Sequence, residues 1–167
     1  MSKKKKSKQS YGFLKAYSPS PPERRKFKLG DDPVSLYENK HQNPVFSFQY
    51  ISMNRSEKSF NNPSIQKKDY HSFLERLKTI ADVSYQQMDQ GGISYRFHSV
   101  DFNDEKVTVT ESEFRKALMP GSKTLNEENT PTLYQFSITG KQRAFGFLGY
   151  YGTFYLVWFD YDHSIYS

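Results

Sequence analysis

Cysteine is absent, which excludes disulfide bonds and thiolate metal sites. Long apolar runs are missing too. No uninterrupted apolar run reaches the roughly 20 residues that a membrane-spanning helix needs, and the lysine-rich start has no apolar stretch of the signal-peptide kind. A cytoplasmic protein is the expectation. Acidic side chains are scarce in one region only: residues 1–28 hold ten Lys or Arg and a single Glu, leaving fourteen basic and seventeen acidic side chains for residues 29–167. The formal net charge of +6 therefore divides into a strongly basic leader and a mildly acidic body. Any general attraction to nucleic acid belongs to the leader.

Aromatic residues are abundant. Fourteen Phe and thirteen Tyr must do the packing that aliphatic residues usually do, which favours a sheet over a helical bundle in a chain of 167 residues. One modest core, hence one domain, is the natural reading of that length.

Residues 1–43 contain too little apolar surface to order themselves and read as a disordered basic arm, with residues 44–167 as the single folded domain. Two roles fit the arm. It is either a solvated leader or a polyanion-binding segment in which Arg24, Arg25, Lys26 and Lys28 meet phosphates and Tyr11, Phe13, Tyr17 and Phe27 stack on bases or dock on a partner.

Apolar and polar residues alternate within residues 45–51, which predicts a first core strand. After the Asn61-Asn62-Pro63-Ser64 break, Tyr70, Phe73, Leu74, Leu77 and Ile80 fall at helical spacing and predict the main helix. Asp82 is expected to cap a shorter helix in which Ser84 and Gln87 have capping-box spacing and Tyr85 and Met88 face inward, ended by Gly91-Gly92. Residues 94–100 alternate as a strand would, although the polar stretch after them also suits an ordered loop. Thr110 and Glu113 form a second capping box ahead of Phe114, Ala117 and Leu118, so two helical turns should follow and stop before Pro120-Gly121.

Residues 132–167 read as a meander. One strand precedes the turn at Thr139-Gly140-Lys141, a second covers 143–148, and Gly149 and Gly152 flank Tyr150-Tyr151 in a turn that needs positive φ. A third strand, 154–159, has no polar break and should be buried on both faces, with Trp158 in the core. Asp160-Tyr161-Asp162 turns the chain into a short final strand, 163–166. The expected fold is α+β, an antiparallel sheet of four to five strands packed by two N-terminal helices.

The runs 137–147, 154–160 and 163–166 together resemble the C-terminal sheet of RelE/ParE-superfamily toxins, and the strand-helix-helix region matches them in element order. That resemblance implies a toxin of a toxin-antitoxin system, acting on messenger RNA at the ribosome as a metal-independent endoribonuclease without cofactor and held in check by a cognate antitoxin. Arg143 matches the superfamily's phosphate-contacting arginine, His163 its terminal basic or imidazole residue and Tyr166 its C-terminal tyrosine, with Lys141 as an added phosphate contact. Such residues suit the chemistry, since strand cleavage needs a base for the 2′-hydroxyl, cations for the phosphorane charge and an acid for the leaving oxygen. The acidic body departs from the pattern. It leaves open a non-catalytic protein- or nucleic-acid-binding role for the same sheet and arm, with Arg143 and Asp160 as a cross-strand ion pair instead of a phosphate site.

Overall fold

The computed structural model describes residues 35–118, 125 and 128–166. Helix α1 (Leu36–Asn39) leads into strand β1 (Val45–Ser47), then α2 (Lys67–Ala81), α3 (Tyr85–Gln90), β2 (His98–Ser99), α4 (Glu111–Leu118), β3 (Leu133–Ser137), β4 (Arg143–Leu148) and β5 (Thr153–Asp160). The architecture is α+β. The five strands lie in the order β1-β5-β4-β3-β2, with β1 parallel to β5 and every other pair antiparallel.

The sheet is therefore mixed, where an antiparallel one was expected. Alternation along a strand says which residues share a face and nothing about chain direction. The long excursion after β1 is the crossover that lets it return beside the last strand in the parallel sense.

Two apolar layers sandwich the sheet. Phe73, Leu77 and Ile80 of α2 and Tyr85 and Met88 of α3 join Tyr134, Phe136, Ala144, Leu156 and Phe159 in one cluster, with the Phe73 and Phe159 rings 5.0 Å apart. Leu74, placed by its spacing on the same stripe, is exposed. On the opposite face Phe114 and Leu118 of α4 pack with Phe145, Phe147, Val157, Trp158 and Ile165, so β4 and the second half of β5 are buried from both sides. Trp158 lies 5.8 Å from Phe114, ring to ring.

Capping fixes the helix starts. Ser84 and Gln87 close a reciprocal box on α3, and Thr110 and Glu113 do the same on α4. Asp82, expected to cap α3, instead ends α2, because Ser84 already holds the N-cap position.

Three further expectations need correction. Residues 35–43, assigned from the sequence to the arm, belong to the body: the buried Asn39 side chain donates to Gly149 O at 2.8 Å and accepts from Gly152 N at 2.9 Å, clamping the β4–β5 turn. In that turn the positive φ values fall on Tyr151 (57°) and Gly152 (74°), whereas Gly149 is extended. A Cβ at Gly152 would meet Asn43 O at 2.6 Å, so close backbone approach adds to the dihedral requirement. Residues 163–166 form no strand; Tyr166 makes one isolated antiparallel bridge to Val107, for a reason that lies in Asp160.

Candidate functional site

Arg143 opens β4 and stands in register with Asp160, the last residue of β5. Both are buried, at 3% and 0% exposure. The Arg143 guanidinium turns back on its own hairpin: Nη1 donates to Gly140 O at 2.7 Å and Gln142 O at 2.9 Å, with a longer contact to Thr139 O. It thereby ties the 139–142 turn, at whose tip Lys141 is exposed. Burial lowers the Arg143 pKa, nearby Arg96 lowers it further, and Asp160 opposes them. The group stays charged, since guanidinium does not give up its proton in proteins.

Asp160 has other partners. Oδ1 accepts from Ser164 N at 2.7 Å and Ser164 Oγ at 3.0 Å, and Oδ2 accepts from Ile165 N at 2.9 Å. Among the described residues no ion pair joins Asp160 to Arg143. The carboxylate thus takes amides that a final strand would have offered to a neighbour, and the C-terminal segment bends, pairing only at the bridge from Tyr166 to Val107 and the bond from Thr108 N to Ile165 O. His163 lies in that bend with φ of 63°, a left-handed conformation costly for a residue with a Cβ.

The bend brings His163 and Tyr166 together, ring centroids 6.4 Å apart in an edge contact. Tyr166 also meets His98 of β2 edge-on at 6.2 Å. Burial raises the Tyr166 pKa, and the acidic side chains of Asp104 and Asp101 raise it further, so its hydroxyl keeps its proton.

Behind His98 stands Gln135 of β3, its partner in the β2–β3 register. Gln135 Nε2 and His98 Nε2 are 2.6 Å apart, and His98 Nδ1 is 2.9 Å from Ser99 O. A carbonyl oxygen only accepts, so Nδ1 carries a proton, and in the neutral ring Nε2 presents a lone pair to the glutamine nitrogen. Two side-chain atoms in this cluster are buried without a partner, Gln135 Oε1 and His163 Nδ1.

Of the residues singled out from the sequence, the structure gathers His163 and Tyr166, puts Arg143 beneath the adjoining turn and Lys141 on its tip. Arg24, Arg25, Lys26 and Lys28 lie outside the described residues. His98 and Gln135 were missed, although a signal existed: Gln135 is an amide inside an otherwise apolar, buried run, Leu133–Phe136, and such a residue needs a partner. Among the described residues no group of three or more His, Cys, Asp or Glu is placed to hold a metal. No helix among them is long and apolar enough to cross a membrane.

No family model matches the chain, and neither a curated protein nor a solved structure is significantly similar to it.

Proposed function

We propose that this chain is a toxin-like RNA-acting protein, a metal-independent endoribonuclease working on messenger RNA at the ribosome and neutralised by a cognate antitoxin. The observation that carries the reading is the edge contact between the His163 imidazole and the Tyr166 ring at the rim of the sheet. Cleavage through the 2′-hydroxyl needs one group to take a proton and another to return one, and imidazole serves both roles near neutral pH. His163 would take the 2′-hydroxyl proton. Tyr166, kept protonated by its surroundings, would serve as donor to the leaving oxygen. Lys141 and Arg96, both exposed, would supply charge to the phosphate. Arg143 enters as the tie that holds the Lys141 turn, and the basic residues of the leader, Arg24, Arg25, Lys26 and Lys28 among them, lend long-range attraction.

Induced expression in a bacterial host tests this directly, with wild type beside His163→Ala and Tyr166→Phe, and with amino-acid incorporation and messenger RNA ends followed together. Growth arrest and new RNA ends with wild type, both lost in His163→Ala, are the expected result. Cleavage that persists in a folded His163→Ala protein removes His163 from the site.

A second reading rests on a different observation. The Arg143 guanidinium is buried and bound to its own turn, and Asp101 and Asp104 lie close to Tyr166, a poor setting for phosphate. A non-catalytic binding protein would then leave RNA intact, and deleting residues 1–28 would flatten the salt dependence of RNA binding because the leader's ten cations dominate counterion release.

A further inference from the structure

We infer that Gln135, oriented by His98, is a base-reading element that accepts a hydrogen bond from the exocyclic amino group of a nucleobase. The inference deepens the RNA reading above and rests on it.

Gln135 is 4% exposed, and an amide buried to that extent ordinarily satisfies both ends. Here one end is satisfied. With the His98 ring neutral, the hydrogen bonds set the orientation of the amide. Ser99 O obliges His98 Nδ1 to donate, His98 Nε2 must then accept, and so the nitrogen of Gln135 faces the ring and Oε1 is the atom left over. An unpartnered acceptor held in one orientation selects for a donor and against another acceptor.

The surroundings indicate what carries that donor. The cluster is ringed by flat side chains, His98, Tyr166 and His163, with a second unpartnered atom on His163. Aromatic platforms beside a hydrogen-bonding edge are how single-stranded bases are held. Cytosine and adenine present an amino group at the edge where uracil presents a carbonyl oxygen. The site therefore favours an amino-bearing base. Entry asks Tyr166 to rotate off His98, a movement of one half-buried side chain over an exposed imidazole.

Titration of the full chain with cytidine and uridine monophosphates, followed through the Gln135 side-chain amide and His98 ring resonances, tests the assignment. Cytidine monophosphate should shift both signals and bind about tenfold or more tightly than the uridine nucleotide, the factor expected when a buried acceptor is matched or opposed. Gln135→Leu, similar in volume, should keep its thermal stability and lose the preference. His98→Ala should weaken it by freeing the amide to turn. Equal binding of the two nucleotides, or a preference that survives in Gln135→Leu, overturns the inference, as does a silent amide signal, which would mean that trapped water satisfies Oε1. RNA cleavage or binding by wild type without any base preference defeats this inference alone, whereas absence of any RNA interaction defeats it together with the functional reading.

Discussion

Replacing Asp160 with alanine should cost this fold about 4 kcal/mol. The carboxylate is fully buried and accepts three hydrogen bonds from Ser164 and Ile165. Hydrogen bonds to a charged group contribute about 1.5–3 kcal/mol each, and they are not additive when they share one acceptor. Truncation also strands two backbone N–H groups, one of them buried with Ile165, and removes the carboxylate that offsets the buried Arg143 charge. One-sided loss of a buried charged partner typically costs about 3–5 kcal/mol, which sets the scale. Asp160→Asn should cost roughly half as much, since its amide oxygen still accepts from Ser164 while its NH2 faces the Ile165 N–H. Urea unfolding gives the difference from the shift in midpoint at constant slope. Amide hydrogen exchange adds the local test: in Asp160→Asn the Ile165 amide should lose protection while the Ser164 amide keeps its acceptor. An alanine variant within about 1 kcal/mol of wild type, or unchanged protection of the Ile165 amide in Asp160→Asn, would refute the argument that Asp160 folds the C-terminal segment.

Gly146→Ala tests the close approach of β4 to β5: a Cβ there would fall on the Tyr155 carbonyl oxygen and 2.5 Å from the Phe154 ring, at the register shift, so a loss of about 3 kcal/mol or insolubility is expected, and an unchanged urea midpoint would contradict the packing. Alkaline pH tests the buried phenols. Tyr85, whose hydroxyl donates to Gly152 O at 3.0 Å, has its pKa pushed far up by burial, so the unfolded chain ionises first. Its contribution is complete below the ordinary tyrosine pKa of about 10 and is lost above it by about 1.4 kcal/mol per pH unit. Tyr85→Phe should show a shallower decline between about pH 10 and 11, and identical slopes for the two proteins would rule out Tyr85 as the titrating group.

Local order was legible where a few adjacent residues decide it. The Ser84–Gln87 and Thr110–Glu113 boxes start their helices as spacing requires, because capping joins backbone and side chain within one turn. Strand β4 covers Arg143–Leu148, and α2 buries the Phe73, Leu77 and Ile80 stripe. Strand direction was not legible. Pairing β1 with β5 depends on how the intervening helices carry the chain across the sheet, and no local pattern records that.

The candidate site divides the same way. His163 and Tyr166 are near in sequence and were singled out together; His98 and Gln135 are separated by 37 residues and meet only because β2 pairs with β3. Arg143 opens β4, a strand start legible from the turn before it, but its partners depend on Asp160, whose carboxylate binds the amides of the C-terminal bend and makes no direct ion pair with it. By itself the sequence determined composition, charge division, helix starts and the faces of strands, since those follow from neighbours along the chain. Tertiary structure alone decided which buried polar groups found partners and which two side-chain atoms among the described residues did not, since hydrogen bonds between distant residues depend on the final placement of every strand.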